Sequence, residues 1–393
     1  MINENLFFNK NLLIIYSITF TGIMGVASIT PAFPQIANHF NLELDETGLL
    51  ISIFTIPGIV FTPILGIMAD RFGRKTILIP ALLLFAQGGL LCVYANSFNQ
   101  LLIYRFIQGI GAAAIGTISL TLIGDVFADV ETVKAMGYNA VIIAIGTTLY
   151  PAIGAALASI DWYYPFYLPL LGIASVILVL IYLDNPNIDR EDNLSNCFLE
   201  VKTALKDKRT VQLFFSTMIT FILLDGAFLT YFPFLIHQKF EISANSIGLF
   251  MAYMAMITAL VSYNLKNLLE SNSESRLIKI SYILYALALL IFLTINEVSL
   301  IYAPLTIFGV AHGINMPIII STLSTISTLN NRGVILSLNG TVIRIGQTLG
   351  PLIFGWFFII GKLSFVFLGG TIISLATYLI LVIFYKDKLY PNN

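Results

Sequence analysis

The sequence predicts an all-α integral membrane protein whose twelve transmembrane helices form two pseudo-symmetric six-helix bundles, and three observations carry that prediction. Of 393 residues 58% are hydrophobic, 13% aromatic and only 10% charged, where a soluble domain carries about 25% charged. Apolar runs of about 20 residues, the length that crosses a hydrocarbon core ~30 Å thick, recur near 11–37, 47–69, 76–95, 100–124, 136–158, 165–183, 210–236, 244–265, 276–295, 299–326, 334–359 and 364–385. The two sets of six also share residues at a constant offset of 200: Phe40 with Phe240, Gly48-Leu49 with Gly248-Leu249, Gly109 with Gly309, Ile145-Gly146 with Ile345-Gly346, and Thr148, Leu149 and Pro151 with Thr348, Leu349 and Pro351. One offset across four helices marks an internal repeat.

The elements follow in order. The run from Leu12 to Pro34 is too long for a signal-peptide core and lacks a small-residue cleavage site in a polar flank, so it predicts a retained first helix. The second run ends in Gly66-Ile-Met-Ala-Asp70-Arg71-Phe-Gly73-Arg74-Lys75, a tight turn with one acid and three bases. Gly73 suits the positive φ that short helix-to-helix turns often need. With both termini inside, the inner segments hold 16 Lys and Arg, the outer loops hold Lys239 and Lys362, and the spans hold Arg105 and Arg344. That bias orients the chain with both termini and the 66–75 turn in the cytoplasm. The longest polar interruption, Asp184 to Arg209, carries 11 charged residues in 26 and separates six spans from six. The chain thus divides into an N-terminal bundle over 1–183, a cytoplasmic linker over 184–209 and a C-terminal bundle over 210–393. Within the linker Phe198, Val201 and Leu205 recur at helical spacing beside Lys202, Lys206, Lys208 and Arg209, as in a helix lying on the membrane surface. A disordered tether fits the same composition.

Net charge is −1, so the charges inform by position and suggest no nucleic-acid partner. Cys92 in a span and Cys197 in a polar loop are poorly set for a structural disulfide. Enzymatic and metal chemistry find no foothold: no phosphate loop with lysine, no G-x-S-x-G, no H-E-x-x-H, and three widely spaced histidines. No protein-bound cofactor is expected.

The 66–75 decad resembles the loop between helices 2 and 3 of the major facilitator superfamily, G-x-x-x-D-R-x-G-R-K, with Gly66, Asp70, Arg71, Gly73, Arg74 and Lys75 meeting every signature position. The fourth span reads Arg105-Phe-Ile-Gln108-Gly109-Ile-Gly111-Ala112, similar to the superfamily's R-x-x-x-G-x-G-A, whose arginine faces the central cavity. An arginine there must find a partner or water, or else snorkel to the outer surface; the glycines also read as close-packing positions. The fifth span, Gly137-x8-Gly146-x3-Tyr150-Pro151-x2-Gly154-Ala155, resembles the glycine–proline pattern of proton-coupled antiporters, departing from it at Tyr150 and Ala155. Ser28-Ile-Thr-Pro31-Ala-Phe-Pro34-Gln35 resembles the first helix of the twelve-span drug:proton antiporter branch. The resemblance implies a secondary transporter in the plasma (bacterial inner) membrane, a single chain rocking two bundles about a central site and exporting small amphipathic compounds, drugs or metabolites, in exchange for protons. It also implies that the 66–75 turn latches the halves on the cytoplasmic side. A facilitator or importer of this fold is an alternative, and a non-transporting membrane receptor a second.

All acids except Asp225 fall in loops or at helix ends, which makes it the sole carboxylate near the midplane and a functional candidate. Exposed in turn to two environments, it could load and release a proton; alternatively it pairs permanently with Arg344 or His312. His312, with Asn315 at i, i+3, is either a second titrating group or a satisfied packing residue. Together Asp225, His312 and Arg105 are the candidate proton-coupling residues. Gln108, Tyr150, Tyr231, Phe232, Asn315, Arg344 and Gln347 are the candidates for lining a substrate cavity by stacking and hydrogen bonding. With Arg105 and Arg344 against Asp225, such a cavity is net positive, which predicts neutral or weakly anionic amphiphiles over permanent dications. If Arg344 instead faces packed helices, the balance is even.

Overall fold

The computed structural model describes residues 6–127, 129–183, 201–327 and 332–384. Ten helices long and apolar enough to cross a bilayer precede the last stretch: α1 Lys10–Phe40, α2 Leu44–Phe72, α3 Arg74–Val93, α4 Phe98–Val126, α5 Lys134–Ala158, α6 Tyr164–Tyr182, α7 Lys208–Phe240, α8 Ala244–Tyr263, α9 Glu274–Thr294 and α10 Val298–Ile326. The last, Val334–Phe384, is broken where Gly361 (φ −150°, ψ 26°) and Lys362 (φ 58°, ψ −157°) leave helical geometry, giving α11 over 334–360 and α12 over 363–384. The twelve predicted spans are therefore all present. Of the linker, residues 201–204 are helical and Leu205 is exposed, while Phe198 lies outside the described residues.

Helices suit these spans because a helix satisfies its backbone N–H and C=O groups within its own segment, without water. Their ends are marked by short polar side chains: Ser97 accepts from the Gln100 N–H at 3.3 Å to begin α4, and Asp207 from that of Thr210 at 2.9 Å to begin α7. Prolines inside spans (Pro57, Pro63, Pro80, Pro151, Pro317, Pro351) do not end them, as neighbouring helices tolerate the lost bonds. Pro165 and Pro169 leave the first half of α6, Tyr164–Leu171, as 3₁₀ turns. The turn after α2 uses Gly73 at φ 95°, the one positive-φ glycine among the described residues, as its sequence predicts.

The chain divides into two compact units, Met1–Asp192 with Ile236–Ala252, and Asn193–Leu235 with Tyr253–Asn393. The sequence placed 236–252 in the second half; it groups with the first unit because a side chain at Gly248 would strike Ala155 and the Pro151 carbonyl of α5. In the first unit Leu12, Ile15, Leu82, Phe85, Ile115 and Ile118 build a core between α1, α3 and α4. In the second, the rings of Phe228, Phe232, Phe292 and Phe308 stack at 4.9–5.3 Å or lie near one another between α7, α9 and α10.

The repeat extends to individual hydrogen bonds. Thr62 Oγ1 donates to the Ala113 carbonyl at 3.4 Å, and 200 residues on Ser262 Oγ donates to the Gly313 carbonyl at 3.1 Å. Thr19 donates to Asn139 Oδ1 at 2.8 Å and Thr217 to Asn339 Oδ1 at 2.8 Å, tying α1 to α5 and α7 to α11. Here the asparagines are 200 residues apart but the threonines 198. Later in the same two helices the offset is restored: Asn41 (φ 52°) and Glu241 (φ 54°) end them alike. Helix α7 therefore holds two more residues than α1 over an equivalent length. Where α1 breaks into a 3₁₀ turn at Thr30–Ala32, α7 widens into a π-helix over Ile222–Tyr231, and i→i+5 bonding takes more residues into each turn.

Candidate functional site

The widened stretch of α7 carries Asp225. Its side chain is fully buried, and neither carboxylate oxygen meets a hydrogen-bond partner among the described residues. The π geometry shows in the Thr230 hydroxyl, which donates to the Asp225 backbone carbonyl five residues back at 2.6 Å. Next to it, a side chain at Gly226 would fall 2.7 Å from the Gly350 carbonyl of α11, so the two backbones touch where the acid sits. On α11, Arg344 and Gln347 are one turn apart and half-buried, with Arg344 Nη1 donating to Gln347 Oε1 at 3.1 Å. They are the charged and the amide group that act on Asp225, yet no Asp225–Arg344 ion pair forms within 4.0 Å among the described residues. A charged carboxylate without donors is costly in such a place.

His312 is not its partner either. His312 Nδ1 pairs with the Tyr285 hydroxyl at 2.8 Å, and the ring meets Phe221 edge-on. Asn315, one turn on, is wholly buried in a separate set of bonds: its oxygen accepts from Thr220 at 2.9 Å and its nitrogen donates to Ser281 at 2.6 Å. Tyr282 closes the set, donating to the Ser216 carbonyl at 2.7 Å. This network ties α7, α9 and α10 within the second unit.

Arg105 neither snorkels nor lies open. It is fully buried; Nε donates to the Leu50 carbonyl at 3.2 Å, Nη2 to the Gly25 carbonyl at 2.8 Å and Nη1 to Gln108 Oε1 at 2.6 Å, with the guanidinium 4.1 Å over the Phe54 ring. It binds α1, α2 and α4 together, as a fork of five donors suits. The other candidate lining residues also turn inward. Tyr150 donates to the Phe20 carbonyl at 3.0 Å, Tyr231 stacks on Phe358 at 5.7 Å, and Phe232 is sealed between Phe228 and Phe292. Of the seven, Arg344 and Gln347 alone keep partial exposure. With Arg105 sealed, the charge count behind the substrate expectation falls to Arg344 against Asp225, one of each sign, and the arginine withdrawn is Arg105 and not Arg344, the one whose withdrawal the sequence allowed for.

The glycines of α5 differ in what they do. Gly154 lies against the Ser28 carbonyl where α1 breaks, Gly146 against Ile23, and Gly137 against nothing within 4 Å. Pro151 is buried between them. A cavity of about 200 Å³ lined by Pro34, Gln35, Ser159, His237, Ser243 and Ile247 lies where α1, α5 and α7 end.

In the 66–75 turn Arg74 is buried and spends its charge inside the first unit, on Asp70 and, through Nε at 2.7 Å, on Asp125 at the end of α4. Lys75 Nζ donates to the Leu180 and Leu183 carbonyls at 2.8 and 3.1 Å, satisfying the end of α6. Arg71 is exposed, and Gly66 has only an ordinary contact with Thr117. The turn thus joins α2, α3, α4 and α6. Asp125 escaped the sequence reading, although an acid in the last turn of a helix opposes the helix dipole and so calls for a cation.

Twelve spans in a duplicated six-helix pattern, with charged side chains buried at membrane depth, define a polytopic membrane transporter. The chain belongs to the Major Facilitator Superfamily, whose family model matches residues 15–271. Multidrug resistance protein 1 of Bacillus subtilis (strain 168) is 27% identical over 356 residues, covering 89% of this chain and 90% of that protein. Quinolone resistance protein NorA of Staphylococcus aureus (strain COL) is 26% identical over 357 residues with the same shares. Among solved structures the nucleoside transporter NupG has a TM-score of 0.80 at 14% identity, covering 96% of this chain and all of that one, a likeness of fold. Among the described residues no group of three or more His, Cys, Asp or Glu is placed to hold a metal ion.

Proposed function

We propose that the protein exports small amphipathic compounds in exchange for protons by alternating access, with Asp225 as the group that carries the proton. The observation behind this reading is the Asp225 carboxylate itself, wholly buried in a π-helical stretch with both oxygens unpartnered among the described residues. An acid so placed is poorly used as a structural ion pair, and neutralising it by a proton removes the cost of burying its charge. The relatives named for multidrug and quinolone resistance support export, and amphipathic drugs as the substrate class. The proton is the coupling ion, the single chain the working unit, and the bacterial inner membrane the location, with both termini in the cytoplasm.

The test is transport in proteoliposomes with and without an imposed pH gradient. Asp225→Asn abolishes accumulation against a gradient driven by ΔpH while downhill exchange persists. Uphill export by the variant with wild-type pH dependence refutes Asp225 as the carrier. Accumulation by the wild type that runs with the proton gradient in the same direction, instead of against it, overturns export in favour of import.

A further inference from the structure

Gln347 stands in the sequence as a candidate lining residue, but its contacts place it in the proton site. An arginine has donors only, so the end of the Gln347 amide that meets Arg344 Nη1 at 3.1 Å is its oxygen, and the NH2 is the end left over. Arg344 and Gln347 share one face of α11, the helix whose backbone touches α7 at Gly226 and Gly350. They lie close enough to Asp225 to act on it, the guanidinium through its charge and the amide as a hydrogen-bonding group, while among the described residues neither carboxylate oxygen has a contact of full hydrogen-bond geometry.

We propose that Gln347 is a positioning residue for Asp225: anchored on Arg344 through its oxygen, it offers its NH2 to the carboxylate when the proton leaves and withdraws it when the proton returns. The inference rests on the reading of Asp225 as the proton carrier. Away from water an ionised carboxylate must find a donor in the protein, and Gln347 passes the pull of the Arg344 guanidinium to Asp225 without a permanent ion pair. A direct pair would hold the charge in place, whereas a neutral amide can let it go.

The other titratable groups of the surrounding helices are engaged elsewhere or held off by rings. On α9 and α10, Tyr285 and His312 bond each other, and what those helices present to the π stretch at Phe228 is Phe292 and Phe308. On α7 itself Tyr231 stacks on Phe358, and Lys362 Nζ lies over the ring of that same phenylalanine, 4.9 Å from its centroid. Among the described residues Arg344 is the charged side chain that acts on the acid.

The test needs no transported compound. Infrared difference spectra of the reconstituted protein follow the C=O stretch of protonated Asp225 through a pH titration, the band being assigned by its loss in Asp225→Asn. In Gln347→Met, which keeps length and loses the donor, the midpoint of that band moves up by about one pH unit or more, the effect expected of one hydrogen bond to a charged group. Gln347→Asn, with a shorter reach, falls between. An unchanged midpoint in Gln347→Met overturns the role of Gln347 and leaves Asp225 as carrier. Absence of any titrating band assignable to Asp225 overturns the carrier reading, and the inference with it. A purely structural Gln347 would lower thermal stability in both variants without moving the midpoint.

Discussion

Replacing Asp125 by asparagine should damage the first unit more than the same change at Asp70, although Asp70 is the acid in the recognisable motif. Both carboxylates reach Arg74, whose side chain is 6% exposed, but Asp70 is 57% exposed and Asp125 19%. A pair with one member mostly in water contributes under about 1 kcal/mol. Removing a partner from a buried pair costs about 3–5 kcal/mol; because an asparagine oxygen still accepts and Asp70 remains, about 2 kcal/mol is expected for Asp125→Asn. For a unit of this size that lowers the melting temperature by roughly 4–8 °C. Cys92, buried in α3 of the same unit, provides the probe: with Cys197 replaced by serine, a thiol-reactive dye reports when the first unit opens on heating in detergent. If Asp70→Asn melts as low as Asp125→Asn, or lower, the assignment of Arg74 to Asp125 is wrong.

Two further outcomes follow from contacts already described. Arg105→Lys keeps the charge but not the fork that reaches the Leu50 and Gly25 carbonyls and Gln108 together, so it should cost about 2 kcal/mol; an unchanged melting curve by the same dye would refute the stapling role. Gly226→Ala puts a methyl group against the Gly350 carbonyl and Phe354, whereas Gly340 on α11 has nothing within 4 Å of that position. Transport should therefore fail in Gly226→Ala and survive in Gly340→Ala, and equal rates in proteoliposomes would refute the close approach of α7 and α11.

The spans were legible because the bilayer imposes a length and a polarity that composition alone reveals. Gly73 was legible because a short turn leaves few residues able to adopt φ 95°. Arg105 announced that it needed partners, but not that they would be backbone carbonyls of Gly25 and Leu50, 80 and 55 residues away; such bonds leave no periodic trace. Tyr150 looked like a lining residue because aromatic side chains suit ligands, yet in lipid a tyrosine hydroxyl bonds the nearest carbonyl, here that of Phe20. The π stretch was hidden for another reason. Its residues carry no pattern that tells a π turn from an α turn, and the trace left is that Thr217 follows Thr19 by 198 residues where every matched pair cited from the sequence is 200 apart.

Those two surplus residues are slack in the coil. Deleting a residue from an ordinary α-helix rotates everything beyond it by about 100°, which would carry each side chain of the downstream half to the wrong neighbour. Within Ile222–Tyr231 the loss is absorbed differently: wide turns tighten toward regular ones, and the flanking turns keep their phase. Helix α7 is thus the place, among the described residues, where the chain can shorten without being re-threaded. Asp225 sits inside that tolerance, so its aim is set by how the excess is distributed around it.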